Sequence, residues 1–373
     1  MKVKGKDKES VSDRQMSFLF ISFLLGSAIV NIPSPLVNRA GNMAWLSLII
    51  AFLISIPLLL SILFLHRQSA EKTFVEHSRK TLGNFGTGLI VIPICIMLFL
   101  MITYIMFDVG LFLNNTLMLE TPASIVHLFL YMVSALTVYA GIEVMGRMFT
   151  ILFVFMIGAF ILFLLLIMPQ LQPDYLLPLF SDGLKPIFHG VYVNYGFPYA
   201  EVAIFALLLS FTHSDKKKGL KKAMFRALML QGLFLMMAIL LTIMVLGPTG
   251  ADIKYSLFYI ATLIDIKEVF TGVEAIVAMT WILGSYMKGT IALFALNFTF
   301  SQLLKLKDER MLIFPIALCS FFLSISTFDH EREFHVAVST VYPLLITVIA
   351  VLPILFVVAM TFLRQKKNQS KGV

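Results

Sequence analysis

Charge is what this chain has least of: Asp, Glu, Lys and Arg together make up 13% of its 373 residues. So thin a supply of charge cannot solvate a water-soluble fold of that length, which excludes soluble enzymes and soluble binding modules. Cysteine is nearly absent. Cys95 and Cys319 each sit inside an apolar run and no Cys-x-x-Cys occurs, so neither a disulfide framework nor a thiolate metal site is indicated. Also missing are Gly-x-Ser-x-Gly, the phosphate-binding Gly-x-x-x-x-Gly-Lys-Ser/Thr loop and His-Glu-x-x-His, the spacings on which serine hydrolases, nucleotide hydrolases and zinc proteases depend. No enzyme activity and no cofactor is expected.

What is there instead is apolar sequence: 59% hydrophobic residues and a mean hydropathy of +0.92. This predicts an all-α integral membrane protein with ten transmembrane helices, at 16–37, 45–65, 87–113, 123–140, 149–168, 189–212, 223–246, 272–304, 311–327 and 341–363. The 21 Met and 35 Phe residues read as packing and lipid-facing side chains. An even count puts both termini on one side, and the charges agree. Of 29 Lys and Arg residues, 23 fall in the tails and one alternate set of loops and five in the other set. That asymmetry places both termini in the cytoplasm. It also explains the net charge of +8 without nucleic acid as a partner. The chain divides into an N-tail (1–15), a first five-helix repeat (16–168), an extracytoplasmic linker (169–188), a second five-helix repeat (189–363) and a C-tail (364–373). The run Lys216-Lys217-Lys218-Gly219-Leu220-Lys221-Lys222 is an ordinary positive loop or an anionic-lipid site.

Two spans are interrupted where interruption is costly. In the first, Gly26-Ser27-Ala28-Ile29 lies about ten residues from the start, ~15 Å along the helix and half-way through a ~30 Å hydrocarbon core. Pro33 and Pro35 follow. Backbone freed at that depth is tolerated only inside protein or against a wet cavity. A small-residue packing face against a neighbouring helix is the other reading. In the sixth span, Asn194-Tyr195-Gly196-Phe197-Pro198-Tyr199-Ala200-Glu201 combines a Gly/Pro bend with an acid deep in the segment. The two spans are the first helices of the two halves. Paired Gly/Pro interruptions at matching positions point to a midplane binding site in an inverted-repeat transporter fold.

These residues resemble a family. Gly26-Ser27-Ala28-Ile29 with Pro33 is similar to the unwound first helix of the amino acid/polyamine/organocation (APC) superfamily, and Tyr195-Gly196-Phe197 with Glu201 to its broken sixth helix. Ten spans, a short N-tail leading into Asp13-Arg14-Gln15, Arg39-Ala40-Gly41 before Trp45, and Phe197-Pro198-Tyr199-Ala200-Glu201 resemble the B-subunit permeases of spore germination nutrient receptors. The resemblance implies a LeuT-like fold with 5+5 inverted repeats and broken helices 1 and 6. It also implies a bound germinant (an amino acid, sugar or ion), A and C subunits as partners, and the inner membrane of a spore-forming bacterium. Ala28 departs from the superfamily's glycine at that point.

Candidate ligand contacts are the backbone of Gly26, Ser27, Ala28 and Ile29, whose N–H groups suit a carboxylate, and the carbonyls of Tyr195 and Gly196, which suit an ammonium. Phe197 and Tyr199 are expected as an aromatic wall and Thr290 as a hydroxyl contact. Tyr104, Asp108, Glu201 and Lys288 are the candidates for an ion or water pathway, since ionisable groups within spans are costly unless paired or wet. Tyr104 and Asp108 are one turn apart on one helix face. Lys288 either stands in for a coupling cation or pairs with Glu201 to fix packing. The outer loop Asp329-His330-Glu331-Arg332-Glu333-Phe334-His335 is polar, but its histidines are five apart and do not make a metal site. Two functions remain: a germinant-sensing receptor subunit, or a proton- or sodium-coupled amino acid transporter. Gly26→Leu is expected to abolish ligand response while leaving membrane insertion intact, as measured by ligand-response assay and membrane fractionation.

Overall fold

The computed structural model describes residues 9–69, 72–180, 183–212, 217–251, 253–264, 272–328 and 331–370. The expected loop charges at Lys2, Lys4, Lys6, Lys8, Lys216 and Lys267, and Asp329 and His330 of the polar loop, lie outside the described residues. Within them the chain is helical, and the one pairing of strand type is an isolated bridge between Val11 and Thr212.

Helix α1 (Asp13–Leu25) starts at a capping box in which Ser12 and Gln15 satisfy each other's backbone N–H. Helical bonding stops with Gly26 N–H donating to Ser22 O (3.0 Å) and resumes with Asn31 N–H donating to Ser27 O (3.2 Å). Short α2 (Ala28–Asn31) and α3 (Pro33–Ala40) complete the segment, and Gly41, at φ 53°, turns the chain into α4 (Ala44–Ser69). Next, α5 (Phe74–Thr116) starts earlier than the expected span. A Thr73/Glu76 capping box nucleates it, and Gly83, at φ 76°, breaks the first turns from the span. α6 (Ala123–Ala140) keeps its expected bounds, whereas α7 (Ile142–Ile167) begins before 149 because Gly141, at φ 94°, turns the chain at once and the Glu9 carboxylate accepts the Ile142 N–H (3.0 Å).

The sixth segment is split. α8 (Lys185–Asn194) gives way to a π turn at Tyr195–Tyr199 with Phe197 extended (φ −140°, ψ 116°), followed by 3₁₀ winding at Ala200–Leu207. α9 (Lys217–Leu246) follows, then α10 (Ser256–Thr262) inside the expected outer loop, α11 (Val273–Leu304) and α12 (Ile313–Ser326). The polar stretch read as a loop carries α13 (Glu331–Val336), whose first-turn Glu331 and Glu333 suit a helix N-terminus. A π turn at Ala337–Val341, α14 (Tyr342–Ile346), a second π turn and α15 (Leu352–Ser370) complete the last segment, so helix continues into the expected C-tail. Among the described residues, eight helices are long and apolar enough to cross a membrane, and Ile313–Ser326 is a shorter apolar helix.

Contacts sort the turns to two ends. At one end Val11 N–H donates to Phe211 O (2.9 Å), Arg310 reaches Glu9 (3.0 Å), Arg79 caps Gln302 and Leu303 carbonyls (3.0 and 2.7 Å) and Arg364 caps Lys80 O (2.9 Å). At the other, Gln172 N–H donates to Met244 O (2.8 Å), Gln170 to Leu263 O (3.0 Å) and Asn38 to Ala251 O (3.1 Å). The first end holds the basic loops.

Helix α11 runs through the middle, buried along most of its length against α1, α5, α6 and α7. Lipid-facing side chains such as Phe85, Ile151, Leu165 and Phe322 lie exposed on the outside. Gly26 and Gly284 bring α1 and α11 together backbone to backbone. A Cβ on either would overlap the other's carbonyl oxygen. Gly26 is therefore a packing residue, and Gly26→Leu acts by parting α1 from α11 rather than on a ligand directly. Gly26→Ala and Gly284→Ala are each expected to destabilise by about 1–3 kcal/mol, and together by less than their sum because they break one contact. Gly88→Ala, with open space at its Cβ, should leave the thermal midpoint of the purified protein unchanged or raise it.

Candidate functional site

The two interruptions open onto one cavity of about 360 Å³, bounded by α2, α3, α5, the split sixth segment, α11 and the last segment. Ser27 and Asn31 reach it from the first interruption because the chain there leaves regular helix. Phe197 and Glu201 reach it from the second. Gly196 fits directly against Pro343, where a Cβ would overlap the ring, and this close seat holds Tyr342 beside Glu201.

At the cavity floor Lys288 Nζ donates to Glu201 Oε2 at 2.6 Å and the Tyr342 hydroxyl donates to Oε1 at 2.7 Å. Lys288 and Glu201 are 0% and 1% exposed. The ammonium also lies 3.9 Å from the Phe197 ring centroid and 5.4 Å from that of Phe23. A buried ion pair survives only when its remaining hydrogen-bonding capacity is met, and the tyrosine and ring faces do that here. On α5, Asp108 accepts the Asn31 amide on Oδ2 at 2.5 Å. Across the outer end, Lys254 pairs with Glu331, which also approaches His335 (3.4 Å) and accepts from Asn115 (3.3 Å). Burial pushes the Lys254 ammonium below its ordinary value, and the Glu331 carboxylate partly restores it.

Of the residues singled out from sequence, the cavity brings together Ser27, Phe197, Tyr104, Asp108, Glu201 and Lys288. Lys288 pairs with Glu201 at the cavity wall, as the second of its two expected roles has it. The others do not line the cavity. Gly26 packs on Gly284; Ala28 and Ile29 are buried, with Ile29 facing a small apolar void beside α7. Gly196 serves the Pro343 contact, half-buried Tyr195 packs against the core, and Tyr199 is fully buried beside the Phe52 ring (6.0 Å). Thr290 donates to Ser134 (3.1 Å), tying α11 to α6. Asn31, Lys254, Glu331, Phe334, His335 and Tyr342 line the cavity and were not singled out as a site. Asn31, a polar residue beside the interruption, carried a signal; Tyr342 carried none. Among the described residues no three His, Cys, Asp or Glu side chains gather as metal ligands.

A family model described as "Spore germination protein" matches residues 10–332. The chain is 24% identical over 382 residues to Spore germination protein KB of Bacillus subtilis (strain 168), covering 98% of each chain. It is 22% identical over 365 residues to Spore germination protein YndE of the same organism, covering 93% of this chain and 95% of the relative. Among solved structures it is similar to MhsT in complex with L-phenylalanine (TM-score 0.69, 13% identity, 96% of this chain and 99% of that one). It is also similar to Mhp1, a nucleobase-cation-symport-1 family transporter (TM-score 0.66, 13% identity, 91% and 75%). The fold is thus that of the LeuT-like transporters, and the match across residues 10–332 identifies the chain as a member of the spore germination protein family of permeases.

Proposed function

We propose that this chain is the germinant-sensing membrane subunit of a spore germination receptor. A small nutrient such as an amino acid binds between the two interrupted helices, and the resulting helix shift passes to A and C subunits. The observation that carries this reading is the single cavity of about 360 Å³ that collects Ser27, Phe197, Glu201 and Lys288 from three segments distant in sequence. Its volume falls near the lower end of the range of roughly 300–1,000 Å³ used by small-molecule sites, which suits a nutrient better than a lipid or peptide. Family membership supplies the germination context. Ten crossings in two five-helix repeats agree with the alternation of turns between the two ends. The basic loops gathered at one end support cytoplasmic termini in the inner membrane.

Sensing follows from the arrangement of the floor. Glu201, Lys288 and Tyr342 belong to the sixth segment, α11 and the last segment, and one carboxylate joins all three. A ligand that displaces Phe197 from the Lys288 ammonium changes the packing of three segments together, and a packed core responds by switching arrangement rather than by yielding continuously. The second reading, a proton- or sodium-coupled amino acid transporter, is favoured by the fold's likeness to cation symporters.

Binding and uptake of a labelled amino acid panel in vesicles containing the chain separate the two. Saturable binding without net accumulation is expected; accumulation driven by a proton or sodium gradient would make the chain a working transporter. Lys288→Ala strands a buried carboxylate and is expected to destabilise by about 3–5 kcal/mol, whereas Lys288→Met combined with Glu201→Gln should recover most of the thermal midpoint in detergent.

A further inference from the structure

Two carboxylates face the cavity from within the membrane-embedded segments, and their surroundings differ in one respect. Glu201 is supplied with the Lys288 ammonium at 2.6 Å, the Tyr342 hydroxyl at 2.7 Å and the Phe197 ring against that ammonium. Asp108, 6% exposed, has the Asn31 amide on Oδ2 and, among the described residues, no donor on Oδ1 and no ion pair. Lys254, the other lysine on the cavity wall, is engaged by Glu331. Tyr104, one turn before Asp108 on α5, lines the cavity with Phe334, their ring centroids 6.0 Å apart. Asp108 therefore repeats the components of the Glu201 site (a buried carboxylate, a hydrogen-bonding neighbour, aromatic walls) without a lysine of its own.

A carboxylate at that depth is costly unless a cation or water meets it, and ring faces add attraction for a cation but little for a neutral hydroxyl. We propose that Asp108, oriented by Asn31, selects for a protonated amine on the ligand. The cavity then takes small ammonium-bearing molecules and rejects sugars and hydroxy acids of similar size. The ligand ammonium meets Oδ1 of Asp108 beside Tyr104 and Phe334. Arg39, which lines the same cavity and has no acidic partner among the described residues, supplies positive charge for an acidic end. This inference rests on the reading of the cavity as the ligand site.

The test is saturation binding of tritiated L-alanine, L-leucine, L-asparagine and glucose to the purified full chain, with Asp108→Asn and Asp108→Glu beside wild type. At least one amino acid should bind wild type saturably and bind Asp108→Asn at least tenfold more weakly, with Asp108→Glu within a few-fold of wild type. The 2-hydroxy acid matching the bound amino acid should fail to compete at hundredfold excess. That competition is read on wild type alone, so it decides the matter even where Asp108→Asn does not fold to a monodisperse protein. Unchanged affinity in folded Asp108→Asn, or equal competition by the hydroxy acid, overturns the proposal. Binding of glucose alone overturns it while leaving the cavity as a ligand site; binding of no probe removes both.

Discussion

The structure depends on one electrostatic constraint: an ammonium and a carboxylate held together where neither could stay charged alone. Lys288 sits in the middle of α11, the helix about which the others pack, and Glu201 sits in the 3₁₀ winding that follows the second interruption. Desolvation penalises each ion by several kcal/mol, so the pair is tolerable only with close geometry and satisfied remaining lone pairs. Those demands explain the neighbourhood. Phe197 turns extended so that its ring meets the ammonium. The Gly196 to Pro343 seat brings the Tyr342 hydroxyl to the second carboxylate oxygen. The irregular backbone at 195–199 and the π turn before Tyr342 are thus two sides of one fit.

The contact between Gly26 and Gly284 does the corresponding work for the first interruption. Side chains cannot fit between the helices there, so the two backbones set the distance, and Gly284 lies one turn before Lys288 on α11. The glycine contact therefore fixes how far the first interruption stands from the ion pair. Ser27 and Asn31 follow from that distance, since they face the cavity from the turns just beyond Gly26. A site whose walls come from six segments is in this way referred to two close contacts, Gly26 to Gly284 and Gly196 to Pro343.

The fold was legible because bilayer physics acts on local sequence. Apolar run length, alternate basic loops and paired Gly/Pro interruptions each leave a mark within a short window. Ionisable residues inside spans were legible for the same reason, and Asp108, Glu201 and Lys288 line the cavity together with Tyr104. The tertiary contacts of the small residues were not legible. Gly26, Gly196 and Thr290 have the composition of a ligand site, and each makes a tertiary contact that no local window reveals. Tyr342 was illegible because an aromatic residue in an apolar run has many uses and only a carboxylate from another segment gives it this one. The early starts of α5, α7 and α13 were missed because caps and acidic first turns extend helices into polar sequence that reads as loop.

The pairing of Lys288 with Glu201 has an electrical consequence. The pair carries no net charge, so a rearrangement that moves both residues as a unit transfers nothing across the membrane field. One that separated them along the membrane normal would couple to it by about 2.3 kcal/mol per elementary charge per 100 mV for a full crossing. A core held by a neutral pair therefore gains no voltage dependence from that pair so long as the two residues move together.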